Sequence, residues 1–345
     1  MQFKFEVSQP DYSKITNPEA LKQAVLDGNN SIAHRIEGRK VLRPSSIDTH
    51  CPYQWAMQTF GFYESKPKPA NTIGTAYHAA AEAFDTYRIL TNGQEQPPVN
   101  FLKEVAEQKV RMQESYYTQK FGGDLWKDNE DGYSKYDSRE RLFSDLEYAV
   151  EKIPEFIGSE PVPLAAETRF TAYIDHPIFA AVSGSVDRLT PTPDGGVVID
   201  DYKFVKSYTQ EKLKTYAVQQ SIYGWLAKGA GLEVKGNRLL AVDRQATKKK
   251  FTVKKAAGQI YDKKEVVPRF LKETLQPNYK RAWSKIVYLL NSTKLVDYYV
   301  KNGVPLKEAI GIVFPTTGTG DFLCDKKWCD VWDVCPINTG NIPML

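Results

Sequence analysis

GSVDRLTPTPDGGVVIDDYK, residues Gly184–Lys203, is the stretch that decides the fold. Two apolar runs flank the turn-rich segment Pro191-Thr192-Pro193-Asp194-Gly195-Gly196, the pattern of a β-hairpin. A turn centred on Asp194 sets Asp187 directly across the ladder from Asp201. Along the second strand Val197, Ile199, Asp201, Lys203 and Val205 share a face, because side chains alternate with period two. Two carboxylates and a lysine thus converge at the end of an apolar strand pair. Like charges set opposite each other are destabilising, and a divalent cation is the natural group to offset them. On these residues alone two readings stay open, a solvated strand end with an ordinary ion pair or the metal site of a phosphodiesterase. An acidic residue, any residue and a lysine also occur at Glu64-Ser65-Lys66, Glu233-Val234-Lys235, Asp262-Lys263-Lys264 and Asp325-Lys326-Lys327. The triplet Asp201-Tyr202-Lys203 is set apart by the Val-Val-Ile run before it and by Asp187.

Working outward, 345 residues can bury a sizeable core, as one elaborated domain or two smaller ones. Charged residues at 26% and apolar residues at 41% are ordinary for a soluble globular protein. No apolar run approaches a membrane span, and MQFKFEVSQPDYSK lacks the apolar segment of a signal peptide, so a cytoplasmic location is expected. A net charge of +4 does not announce a nucleic-acid binder. The run Arg244–Lys255, RQATKKKFTVKK, has six basic residues and no acidic one, and reads as a basic hairpin arm or a solvated face. Cys324, Cys329 and Cys335 cluster as Cys-x4-Cys-x5-Cys, with Cys51 far upstream. Clustered thiolates in a cytosolic chain point to an iron–sulfur cluster, or to zinc in a closed four-thiolate site.

The first forty residues carry no clear reading. Ser45 or Ser46 is the candidate N-cap of a helix running through Cys51 to Phe60. After a Pro-rich spacer, Ser65–Ala70, a second helix is expected from near Ile73, with Tyr77, Ala80, Ala81 and Phe84 as its apolar stripe. His78 and Glu82, four residues apart, sit together beside that stripe. Residues 100–158 read as helical at both ends, with a loop over Phe121–Tyr136. Strand character runs from Ala165 to Phe204, a helix follows over Glu211–Lys228, Leu239–Val242 is another strand, and Val267–Val300 is read as helical. No Gly-x4-Gly-Lys-Ser/Thr phosphate loop occurs, so the chain is not a helicase, and ATP-driven unwinding would come from a partner.

An ordered series of motifs resembles the RecB-like PD-(D/E)XK nucleases, in the iron–sulfur branch that holds AddB-like and CRISPR-adaptation-type exonucleases. Arg43-Pro44-Ser45-Ser46-Ile47 leading to Cys51-Pro52-Tyr53 resembles the family's N-terminal cysteine segment, and Gly74-Thr75-Ala76-Tyr77-His78 its glycine–histidine helix. Glu167-Thr168-Arg169-Phe170 resembles the acidic strand. Gly184-Ser185-Val186-Asp187-Arg188 and Ile199-Asp200-Asp201-Tyr202-Lys203 resemble the catalytic core. Gln219-x3-Tyr223 resembles the glutamine–tyrosine helix, and Cys324, Cys329 and Cys335-Pro336 the terminal cluster. The first gap in that cluster is four residues, where two or three are more usual in the branch.

The resemblance implies an α/β fold: a restriction-endonuclease-like mixed-sheet core with N- and C-terminal helical extensions joined by an iron–sulfur cluster. Its parts would be an N-terminal segment (1–42), a helical region with the first cysteine and the histidine motif (43–160), a nuclease core (161–260) and a C-terminal helical region with the cysteine cluster (261–345). It implies a Mg2+- or Mn2+-dependent DNA exonuclease of recombination, repair, replication or adaptation, with a 4Fe–4S cluster on Cys51, Cys324, Cys329 and Cys335. The substrate would be DNA, single-stranded or at duplex ends, with a helicase or recombination protein as partner and no membrane. Asp187 and Asp201 would bind the metal with His78, whose imidazole favours manganese over magnesium. Lys203 would orient water or stabilise developing charge. Glu167 would ligate a second metal or orient water, and Gln219 and Tyr223 would position the substrate phosphate or Lys203. Asp200 points to the other face by alternation and is excluded from catalysis. Two other readings compete, a catalytically silent DNA-binding subunit of a helicase–nuclease complex and a zinc-stabilised DNA-binding scaffold.

Overall fold

The computed structural model describes residues 3–28, 35–47, 51–132, 138–254, 260–316, 331 and 335. Its organising element is the hairpin of Gly184–Lys203, formed by strands β5 (Phe179–Pro191) and β6 (Val197–Val205). The register is the one the turn dictates: Arg188 opposite Asp200, Leu189 opposite Ile199, Thr190 opposite Val198 and Pro191 opposite Val197. Thr192 N–H donates to the Gly196 carbonyl at 2.9 Å, and Gly195 sits at φ +84°, open to a residue without Cβ.

The remaining strands are β1 (Lys4–Ser8), β2 (Arg35–Ile36), β3 (Arg39–Leu42), β4 (Ala165–Tyr173), β7 (Val234–Lys254) and β8 (Ile260–Leu275). Among the described residues they form one mixed sheet in the order β1-β4-β5-β6-β7-β8, with β3 joining β5 and β2 joining β3. The helices in chain order are α1 (Pro18–Gly28), α2 (Pro44–Ile47), α3 (Pro52–Thr59), α4 (Pro69–Leu90) and α5 (Val99–Phe121). They continue with α6 (Arg139–Glu151), α7 (Ile153–Ile157), α8 (Gln210–Gly229), α9 (Tyr279–Lys301) and α10 (Leu306–Val313). Strands β6 and β7 are parallel, and α8 makes the crossover such a pair needs. One sheet face carries the core built with α1, α4, α5 and α6, which takes in Tyr202, Leu240 and Val242. The other carries the core of α3, α8, α9 and α10, with Phe170, Val182 and Ile199.

Several expected boundaries move. The helix anticipated through Cys51 to Phe60 is two pieces, because Pro52 forces Cys51 into extended backbone (φ −118°, ψ 112°) and opens α3 at its first position. Helix α4 begins at Pro69 rather than Ile73, again with proline in the first turn. It is buried nearly all round, since Ala76, Tyr77, Ala79, Ala80, Ala81, Ala83 and Phe84 are all inaccessible. The loop expected over Phe121–Tyr136 contains a 3-10 turn at Lys127–Gly132. The short strand read at Leu239–Val242 is the centre of β7, which extends through the basic run to Lys254 and pairs antiparallel with β8. The helix expected from Val267 therefore starts only at Tyr279, and residues 267–275 are strand. Pro268, which cannot donate to a ladder, falls where the register shifts between Asp243 and Thr247. Residues 1–42 supply β1, β2, β3 and α1, so the sheet is wider than the hairpin region alone implied.

Candidate active site

Strand β5 changes neighbours along its length. Its first part, Phe179–Val182, pairs in parallel with β3; its last part, Arg188–Pro191, pairs with β6. Between them, Ser183–Asp187 keeps β4 on one side and a fork opens on the other. Changes of strand neighbour of this kind leave a crevice at the sheet. Gly184 lies in it, and a Cβ there would sit 2.8 Å from both Pro44 and Tyr223. The missing side chain lets α2 and α8 close on the strand.

The carboxylates stand at the mouth of this fork. Asp187 is the residue just beyond the last β5–β6 rung, and its Oδ2 accepts the Tyr202 N–H at 2.6 Å, taking over from the ladder. Asp201 lies across from it on β6. On the opposite flank, β4 pairs through Ala166–Arg188 and Thr168–Val186, which leaves Glu167 facing Asp187. Glu167 holds φ +50°, a region non-glycine residues seldom enter, and this interrupts the ladder and re-aims its carboxylate. The Tyr12 phenol bonds the neighbouring Ala166 backbone on both sides, accepting from its N–H at 2.8 Å and donating to its carbonyl at 3.1 Å. Glu167, Asp187 and Asp201 therefore stand level on three adjacent strands.

The other expected residues gather around them. His78, on α4, places Nδ1 3.4 Å from Asp187 Oδ2. Lys203 Nζ lies 2.5 Å from Asp201 Oδ2, as an ion pair off hydrogen-bond geometry, for that buried oxygen has no hydrogen-bond partner. Lys203 also lies over the Tyr216 ring, 5.4 Å from its centroid. Gln219 Nε2 donates to the Tyr223 hydroxyl at 3.1 Å, and Tyr223 lines the cleft of about 350 Å³ that contains His78, Glu167 and Asp187. Asp200 points away, where Arg238 grips it with two bonds of 2.7 and 2.9 Å and the Thr190 hydroxyl adds a third at 2.5 Å. Beside it the inaccessible Arg188 pairs with Asp85 at 3.3 Å, and Tyr202 donates to Asp85 at 2.5 Å. This layer holds the hairpin from beneath.

The family profile described as the PD-(D/E)XK nuclease superfamily matches residues 47–336, most of the chain. The chain belongs to the PD-(D/E)XK nuclease superfamily. Membership implies a metal-dependent nuclease, a hydrolase whose substrate is DNA. A solved structure titled "Crystal structure of SSO0001" is similar at 10% identity, covering 93% of this chain and 96% of its own, with a TM-score of 0.35. No curated protein matches the chain.

Burial and close charges shape the titration of this carboxylate line. Burial, followed by the neighbouring carboxylates, pushes Glu167 up to about 8. Burial likewise raises Asp187 and Asp201 to about 6 each, against the counter-pull of Lys203. His78 is pushed down to about 4, first by burial and then by Lys203, so its imidazole is neutral and able to ligate. Burial would lower Lys203, but Asp201 and Asp187 together outweigh it, and its ammonium is held more firmly than usual. Hard carboxylate oxygens and a neutral imidazole are the donor types a divalent cation takes. Among the described residues no group of three or more His, Cys, Asp or Glu side chains is placed to hold a metal ion as it stands. Asp187 is engaged by Tyr202 N–H, and Asp201 by Lys203.

Sequence reasoning assigned no role to Glu82, although it noted its place four residues after His78. Glu82 is 8% exposed, and burial followed by Glu167 raises its carboxyl well above the ordinary range. It lines a second cleft with Glu167, Arg169 and Tyr12. Of the cysteines, Cys51 is buried at the start of α3, and both it and Cys335 bear electrostatically on the Tyr53 phenol. Cys324 and Cys329 lie outside the described residues. No described helix is long and apolar enough to cross a membrane.

Proposed function

We propose that this chain is a Mg2+- or Mn2+-dependent DNA exonuclease of the RecB-like, iron–sulfur branch, acting in the cytoplasm in recombination, repair, replication or adaptation. The observation that carries the reading is the line of Glu167, Asp187 and Asp201 across three strands, with His78 beside Asp187 and Lys203 beside Asp201. Asp187, Asp201 and Glu167 would hold the cation with His78. Bound there, the cation supplies positive charge to the transferring phosphoryl group. Lys203, fixed by Asp201, orients the attacking water or meets the charge that develops. The elevated Glu167 carboxyl is suited to exchange a proton with that water near neutral pH. Tyr223, held by Gln219, borders the path of the strand. A 4Fe–4S cluster on Cys51, Cys324, Cys329 and Cys335 would be structural, tying the chain's two ends together. The chain has no phosphate loop, so a helicase partner would supply unwinding.

The test is digestion of 5′- and 3′-labelled single- and double-stranded DNA with manganese. Wild type is expected to degrade from an end, and Asp201→Ala to bind DNA without cleaving it. Near-normal metal-dependent cleavage by Asp201→Ala would overturn the site.

A further inference from the structure

The face of β6 turned away from Asp201 and Lys203 carries a tie to helix α4. Tyr202 lies between those two residues in sequence, and alternation sends its side chain to the opposite face. There it is buried, and its hydroxyl donates to Asp85 Oδ2 at 2.5 Å, the length of a hydroxyl bonded to a carboxylate. Asp85 stands on α4 about two turns beyond His78, roughly 10 Å along the helix axis. Its other oxygen faces Arg188, the residue after Asp187, at 3.3 Å. Asp85 is therefore approached from both strands of the hairpin, each time by a neighbour in sequence of a site carboxylate. Only the approach of Tyr202 has hydrogen-bond geometry, since Asp85 Oδ1 and Arg188 Nη1 have no hydrogen-bond partner among the described residues. Tyr202 also reaches the site by its main chain. Its N–H donates at 2.6 Å to Asp187 Oδ2, the oxygen that lies 3.4 Å from His78 Nδ1. Its ring meets the His78 ring edge-on, with centroids 6.2 Å apart. One residue thus touches the helix that carries His78, the imidazole itself and the Asp187 carboxylate. Tyr77 offers the contrast: its ring stands edge-on to Tyr202 and is equally buried, yet its hydroxyl has no hydrogen-bond partner among the described residues.

We propose that Tyr202 is a positioning residue of the nuclease site: through Asp85 it fixes α4 to β6, and so sets the separation of His78 from Asp187. This rests on the nuclease reading of the carboxylates. His78 comes from a helix and Asp187 from a strand, so no stretch of backbone fixes the distance between them. The buried alanines of α4 supply apolar contact, which is non-directional. The bond from Tyr202 to Asp85 is directional and defines one seat for the helix. A displacement of about 1 Å at a reacting group can cost about a hundredfold in rate, so the hydroxyl acts on the chemistry by holding the groups that perform it.

The experiment sets Tyr202→Phe beside Tyr77→Phe, which removes a buried hydroxyl from the neighbouring ring. Manganese affinity is read from the electron paramagnetic resonance of free Mn2+, cleavage as the single-turnover rate at saturating manganese, and folding by urea unfolding in EDTA. Tyr202→Phe is expected to fold and to lose about tenfold or more in manganese affinity, in rate, or in both. Tyr77→Phe should stay within about twofold of wild type in each. Wild-type affinity and rate in Tyr202→Phe, or an equal loss in Tyr77→Phe, would overturn the proposal. So would the absence of a cooperative urea transition in Tyr202→Phe, because the hydroxyl would then hold the fold rather than the site. Should wild type neither bind manganese nor cleave DNA, the nuclease reading fails instead, and the tie is decided by amide hydrogen exchange of the metal-free protein. There, faster exchange in Tyr202→Phe confined to residue 202 and the turns of α4 around His78 supports it, and unchanged exchange or a uniform gain across the sheet refutes it.

Discussion

Replacing Asp201 by asparagine should make the metal-free protein more stable, even though it removes one half of a close ion pair. Asp201 is 3% exposed, and burial lifts its folded-state pKa from the ordinary 3.8 to about 6 despite Lys203. Since the folded state holds the proton more tightly than the unfolded chain, the stability from protonation is complete below about pH 4. It declines as pH rises and is gone above about pH 6. At 1.36 kcal/mol per pH unit the loss approaches about 3 kcal/mol. Asparagine has the shape of the protonated acid and never incurs that loss. Urea unfolding in EDTA should therefore show Asp201→Asn more stable by up to about 3 kcal/mol near pH 7.5, with the difference vanishing near pH 4. Manganese should raise the wild-type midpoint by mass action and the variant's far less. If Asp201→Asn is instead the weaker protein near pH 7.5, Asp201 is a structural partner of Lys203, and the cation site has no electrostatic basis.

Lys203→Ala should slow single-turnover cleavage about a hundredfold or more while leaving manganese binding in place; an unchanged rate removes Lys203 from the chemistry. Gly184→Ala puts a Cβ 2.8 Å from Pro44 and Tyr223 and should cost about 1–3 kcal/mol in urea unfolding, so an unaltered midpoint contradicts the close approach of α2 and α8. Protein prepared anaerobically should be brown, with about four irons per chain, and Cys329→Ala should lose both colour and solubility; stoichiometric zinc without iron would replace the cluster while leaving the nuclease site standing.

The hairpin was legible because its turn chemistry and its two apolar flanks each fix the same register, so the facing of Asp187 and Asp201 could be counted off. His78 was legible only through the resemblance of Gly74–His78 to the glycine–histidine helix, since α4 is buried nearly all round and its period singles out no one face. What escaped depends on partners remote in sequence. Nothing near Asp200 or Arg188 announces Arg238 or Asp85, and the buried layer beneath the hairpin exists only once α4 and β7 are in place. Glu167 could be found as an acidic strand residue, but not its positive φ, which sits next to the Ala166 backbone held by Tyr12 more than 150 residues upstream. Strand β8 was misread because Val267–Leu275 has no clean alternation to oppose the helical pattern that follows.

Helix α3 has a consequence for how the protein is made. Trp55 stacks 5.6 Å from Phe314, and Tyr53 N–H bonds the Pro315 carbonyl at 3.3 Å. On the ribosome the second half of this contact emerges about 260 residues after the first, a delay of roughly 13–50 s at 5–20 residues per second. Every residue from His78 to Tyr223 is synthesised within that interval. The nascent chain can thus assemble its carboxylates while the Phe314 side of α3 is still waiting for its cover, and a chaperone that shields Trp55 in that window would act on a chain whose carboxylate line is already synthesised.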